Sequence, residues 1–216
     1  MKRVPPMELQ LQKGAAPSAA PVVDAAAKAG AEAIAAVTDG NKLLAERKFA
    51  EARAEYEKAI ALLPPNAGLW KGVAQTYHGE GNEVKAIETL KKAAELDPAD
   101  TDSQLLLASL QVAQGQVDEG KAVLEGLPAG SVKDPAIYVN LGIVLMNKNK
   151  PLDAVVYITK ALEIDAASAD GYFYRGMANI QAKKKADAKA DFKKYLELAP
   201  NGPEAKDARE MLQALK

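Results

Sequence analysis

Apolar residues in this chain recur at helical spacing in short segments, and the segments themselves recur. KAIETLKKAAELDPAD at 85–100 is echoed 34 residues earlier by ARAEYEKAIALLPPN at 52–66. It returns as AVVYITKALEIDAAS at 154–168 and AKADFKKYLELAPNG at 188–202. Aligning these stretches divides 33–202 into five units of 34 residues, starting at Ala33, Ala67, Thr101, Pro135 and Ala169. Within each unit the apolar spacing predicts two helices joined by a short turn. Position 8 of every unit is small (Gly40, Ala74, Ala108, Gly142, Gly176), and so is position 20 (Ala52, Ala86, Gly120, Ala154, Ala188). Small residues there let the two helices approach closely. Position 24 is large and apolar (Tyr56, Leu90, Leu124, Ile158, Phe192) and fills the space beside them.

Proline at position 32 (Pro64, Pro98, Pro200) ends the second helix, because it lacks the N–H donor and restricts the residue before it. Gly81, Gly115 and Asn149 stand at the turn between the helices, where a left-handed backbone is wanted. On these residues the chain resembles the tetratricopeptide-repeat (TPR) proteins, over about four-fifths of its length. The resemblance implies an all-α fold: a right-handed α-solenoid of five helical hairpins over 24–202.

Two units depart from the pattern. The third ends GKAVLEGLPAGSVKD, where Gly126, Pro128 and Gly130 predict a shortened helix, a loop over 128–134 and a weaker joint to the fourth unit. The fourth has Ala166 where others have proline, so its second helix is expected to run on toward the next unit. PEAKDAREMLQALK (203–216) begins with proline in the first helical turn and puts Ala205, Ala208, Met211, Leu212 and Leu215 on one face. It reads as a C-terminal capping helix for the uncovered last unit. At the other end, 24–37 is helix-prone with Asp24 as a suitable N-cap, and 1–23 reads as an extended tail on an Ala/Pro linker.

Composition narrows the chemistry. Net charge is −1, from 28 basic and 29 acidic side chains, which gives no general attraction to nucleic acid or anionic lipid. With no cysteine there are no disulfides, thiolate metal sites or cysteine nucleophiles. No stretch approaches a membrane span, and the start lacks the apolar core of a signal peptide. The chain reads as soluble, with no compartment selected.

No catalytic constellation emerges, and no enzyme activity, cofactor or metal is expected. His78 has no nucleophile at a recognisable motif, and HGEGNEV follows a helix, so it is a turn rather than a phosphate cradle. Asp97, Asp100 and Asp102 lack calcium-loop spacing; the last two suit the start of the next helix. The run Lys183, Lys184, Lys185, with Lys189, Lys193 and Lys194, has no interleaved aromatics and reads as a solvated face.

The resemblance also implies that the first helix of each unit lines a concave wall that binds a peptide or partner segment, through positions 2, 5, 6, 9 and 12. In the first two units this wall is polar: Thr38, Asn41, Lys71, Gln75 and His78, with His78 exposed. In units three to five it is mainly apolar: Leu105, Leu106, Ser109, Val112, Val139, Asn140, Ile143, Met146, Phe173, Tyr174, Met177 and Ile180. A bare surface of that kind predicts a groove for an apolar segment of another protein. The carboxylate-clamp subtype needs basic residues at set positions. The three windows offer Val37, Asn41, Gly72, Asp102 and Leu106; then Lys71, Gln75, Leu106, Ala136 and Asn140; then Leu105, Ser109, Asn140, Asp170 and Tyr174. None supplies the charge a C-terminal carboxylate requires. An alternative is homo-oligomer formation, by end-to-end stacking or with VPPMELQL (4–11) docking in a groove.

Overall fold

A computed structural model describes residues 20–215, and among them eleven helices and no strand. The helices are α1 (Ala20–Ala45), α2 (Phe49–Leu62), α3 (Ala67–Gly79), α4 (Glu83–Leu96), α5 (Thr101–Ala113), α6 (Val117–Gly126), α7 (Ala136–Asn147), α8 (Pro151–Ile164), α9 (Ala169–Gln181), α10 (Lys185–Leu198) and α11 (Ala205–Ala214). They pair as α1–α2, α3–α4, α5–α6, α7–α8 and α9–α10, one hairpin per sequence unit, and α11 packs on α10.

The same device ends each first helix. The residue at position 15 has positive φ in all five units: Arg47, Gly81, Gly115, Asn149 and Lys183. Its N–H reaches back to a carbonyl of the last turn, and the next N–H reaches further back, as in Gly81 N to His78 O (2.9 Å) and Asn82 N to Tyr77 O (2.8 Å). The otherwise orphaned last carbonyls are thereby bonded, and the chain reverses in three or four residues. Between units, position 34 caps the following helix. Asn66, Asp100 and Ser168 accept from the amides of Leu69, Ser103 and Gly171, and Asp134 accepts from the amide of Ala136.

Packing follows the small-and-large pattern. A Cβ on Gly40, Gly142 or Gly176 would press on Tyr56, Ile158 or Phe192, in each case the position-24 residue of the same unit. All five position-24 side chains are buried. The core clusters bridge units rather than filling them: Tyr56 joins Leu69 and Val73, Leu90 joins Leu107 and Leu110, and Phe192 joins Ala205 and Ala208. A continuous cluster runs from Ala108 through Leu141 and Ile158 to Ala178. Each hairpin is thus one wall of its neighbour's core.

The third unit behaves as its glycines and proline predict, with α6 stopping at Gly126 and an irregular stretch running to α7. The joint is the weaker one expected, since α6 meets α7 far less than α2 meets α3, α4 meets α5 or α8 meets α9. What holds it includes Val132, buried in the cluster shared with Leu124 and Leu141, and Tyr157, which donates to Glu125 at 2.5 Å. The fourth unit differs from expectation. α8 ends at Ile164, the same repeat position as the ends of α2, α4 and α10, although Ala166 replaces proline. Asp165 does the work, because its carboxylate accepts the Ala167 amide at 2.9 Å, as Asp97 does for Ala99. At the start, α1 begins at Ala20, so Asp24 lies within the helix rather than at its N-cap and the linker does not extend over 20–23. Pro203 sits in the turn before α11, with Glu204 at the N-cap. Tyr195 holds that turn by donating to the Glu204 carboxylate and accepting its amide, both at 3.0 Å.

Candidate concave interaction surface

First helices of successive units meet at three of the four joints, α1 with α3, α5 with α7 and α7 with α9, and neither α3 with α5 nor any pair of second helices does so to the same extent. The first helices therefore lie on the inner, tighter side of the stack. Along it two cavities adjoin. One, about 240 Å³, lies between α5 and α7 and is lined by Ser109, Val112, Ala113, Ile137, Asn140, Ile143 and Val144. The other, about 310 Å³, lies between α7 and α9 and is lined by Pro135, Ala136, Val139, Asn140, Ile143, Ser168, Asp170 and Tyr174. Asn140 and Ile143 line both, so the two form one furrow crossing α7.

The structure redistributes the predicted apolar wall. Val112, Val139, Met146 and Phe173 are no more than 9% exposed and belong to the core. Leu105, Leu106, Ile143, Tyr174, Met177 and Ile180 are half-buried, packed against the clusters that join neighbouring units. A helical spacing cannot separate a residue facing solvent from one wedged between adjacent first helices, because both share a face of their own helix. The large apolar side chains most open to solvent lie elsewhere: Ile34 on α1, Val84 and Leu96 on α4, Leu152, Val156 and Ile164 on α8, and Leu198 on α10.

The polar half of the predicted wall is largely engaged within the chain. Asn41 accepts from the Tyr56 hydroxyl at 2.7 Å. Lys71 lies 3.3 Å from Asp100 and 3.7 Å from Asp102. Burial pushes the Asp100 carboxyl up, but the Ser103 hydroxyl and amide and the Lys71 ammonium outweigh it and hold the group below its ordinary value. His78 is exposed and its Nδ1 lies 2.8 Å from Glu83 across the turn, while Gln75 is half-buried. Asn41 and His78 thus join the two helices of one hairpin, and Lys71 joins one hairpin to the start of the next. The furrow gathers only Ser109, Val112, Val139, Asn140, Ile143 and Tyr174 of the predicted residues.

Electrostatically the furrow is one-sided. Neither α5 nor α7 contains lysine or arginine. The arginine of α9, Arg175, is bonded to Asp191 of α10, 2.6 Å from Nη2, and to Thr159 of α8. Asn179 donates to the same carboxylate at 2.9 Å, leaving its own Oδ1 buried and without a protein partner. This Arg175–Asp191–Asn179 cluster went unrecognised in the sequence, where the only signal is polar residues at unit positions held by Leu141, Leu145 and Tyr157 in unit four. A larger cavity, about 430 Å³, opens away from the furrow, between the 127–132 stretch and α8, with Tyr138 and Lys160 on its wall. Tyr157 beside it has its hydroxyl driven well above the ordinary value by burial and then by Glu125.

Among the described residues no helix is long and apolar enough to cross a membrane, and no group of three His, Cys, Asp or Glu side chains could hold a metal. The tail segment 4–11, for which docking in a groove is the alternative expectation, lies outside the described residues.

Family models described as tetratricopeptide repeat match residues 43–92, 77–141 and 139–203. Among curated proteins, anaphase-promoting complex subunit CDC16 of Saccharomyces cerevisiae is 26% identical over 117 residues, 54% of this chain and 14% of that protein. Superkiller protein 3 of Schizosaccharomyces pombe is 22% identical over 117 residues, 54% of this chain and 8% of that protein. The chain thus spans a small fraction of the length of these relatives. Among solved structures, MamA superposes with a TM-score of 0.73 at 24% identity, over 82% of this chain and 96% of that one. YrrB, described as a TPR protein with an unusual peptide-binding site, superposes with a TM-score of 0.71 at 20% identity, over 87% and 97%. At these identities the likeness is one of fold.

Proposed function

The chain belongs to the tetratricopeptide-repeat family, whose members are in general non-enzymatic scaffolds for protein–protein interaction, and from that premise we propose that it binds an extended peptide segment of a partner protein in the furrow across α5, α7 and α9. The supporting observation is the pair of adjoining cavities that share Asn140 and Ile143. Their lining suits such a ligand. Val112, Ile137, Ile143 and Val144 accept an apolar side chain, and the exposed Asn140 amide offers both a donor and an acceptor to a peptide backbone.

Because α7 separates the two cavities, Ile143 is the position where one substitution obstructs both. Ile143→Glu places a charge in the furrow from a half-buried site, and it is expected to weaken capture on an array of short leucine-containing peptides by about tenfold or more, equivalent to about 1.4 kcal/mol. Leu152→Glu, on the outer face of α8, serves as the control and is expected to leave binding unchanged. Equal binding by both variants and the parent chain would reject the furrow as the site.

A further inference from the structure

Resting on that reading, the charge along the furrow narrows what the bound segment can be. Its centre offers carbon and neutral hydrogen-bonding groups, and its α9 rim offers one carboxylate, Asp170. Asp170 is exposed, lines the α7–α9 cavity beside Ser168 and Tyr174, and among the described residues has no cationic partner within 4.0 Å. No cation balances Asp170 from within the furrow, because α5 and α7 carry none and Arg175 is committed to Asp191.

We propose that the furrow selects a segment in which an apolar side chain fills the α5–α7 cavity and a lysine or arginine meets Asp170 in the α7–α9 cavity. Neighbouring helix axes lie about 10 Å apart, and an extended chain advances about 3.3 Å per residue, which sets the basic residue about three positions from the apolar anchor. Asn140, lining both cavities, stands beside the intervening backbone. An acidic segment meets the Asp170 carboxylate with no side-chain cation between them and is disfavoured. The selectivity comes from the unpaired charge in a partly enclosed furrow, where screening by water is weaker than on open surface.

The test uses the full chain and a peptide array in which each member has leucine and, about three positions away, lysine, glutamate or serine. In the parent protein the lysine series is expected to bind about tenfold more tightly than the glutamate series at low salt, with the difference shrinking as salt is added. Asp170→Asn is expected to erase the preference and Asp170→Lys to invert it, with helix content checked by circular dichroism. If Asp170→Lys fails to fold, Asp170→Asn alone decides. Should peptides bind, lose affinity with Ile143→Glu and yet show no preference that tracks residue 170, this inference falls and the furrow stands. Should no peptide bind the parent protein at all, the furrow reading and this inference fall together.

Discussion

At the scale of single residues, the five positive-φ positions show how one backbone requirement is met by different side chains. Gly81 and Gly115 adopt the left-handed conformation without a Cβ clash, whereas Arg47 and Lys183 adopt it with one. The left-handed form costs an ordinary residue about 1–2 kcal/mol, and glycine's greater freedom in the unfolded chain returns about half of that. Lys183→Gly is therefore expected to stabilise the protein by about 0.5–1 kcal/mol in urea unfolding, and Gly81→Ala to destabilise it by a similar amount. Lys183 is a cleaner site than Arg47, which also lies over the Phe49 ring, 5.9 Å from its centroid. A null result at both Lys183 and Gly81 would mean that the turn relaxes without cost.

Among the helices, α9 and α10 are unusual in exchanging apolar contacts for the Arg175–Asp191–Asn179 cluster. Asp191 is 4% exposed and is satisfied only because both partners donate to it. Removing it strands a guanidinium and an amide, so Asp191→Ala is expected to cost about 3–5 kcal/mol. Replacing Arg175, Asn179 and Asp191 together by Leu, Leu and Tyr, the residues of unit four, is expected to be neutral or stabilising by about 1–4 kcal/mol, read by thermal unfolding. If the triple variant is as damaged as the single one, the cluster supplies stability and not merely a matched set of polar groups. The helix ends carry a related lesson. Pro64, Pro98 and Pro200 follow α2, α4 and α10 at a fixed distance, but α8 stops at the same place with Asp165 and no proline, so the turn side chain is sufficient.

For the whole molecule, stability is distributed over joints between hairpins, and the end of the stack needs a cover. Phe192 and Tyr195 are fully buried beneath α11, through Ala205, Ala208, Met211 and Leu212. Ending the chain after Asn201 uncovers that surface. The expected result is a loss of amide-exchange protection that is greatest in α9 and α10 and fades toward α3 and α4. Uniform loss along the chain would show instead that the hairpins unfold as one cooperative block.

How far the amino-acid order alone determined this protein follows from the range of the forces involved. The helices, their turns, the small positions against Tyr56, Ile158 and Phe192, and the cap face of α11 all reflect interactions within one hairpin or with its immediate neighbour. Such interactions recur every 34 residues and are visible as a period. The capping by Asn66, Asp100, Asp134 and Ser168 was equally available, being local in sequence. Tertiary structure alone decided which inward residues remain open. Val139 and Ile143 share one face of α7, yet the first is buried and reaches one cavity while the second is half-buried and borders both, because the approach of α5 and α9 sets what each one touches. It also decided the charge of the furrow, since Arg175 could have faced a ligand and was drawn instead to Asp191, sixteen residues away on the next helix. Period is a property of the repeating unit, whereas exposure is a property of the neighbours a unit acquires on stacking.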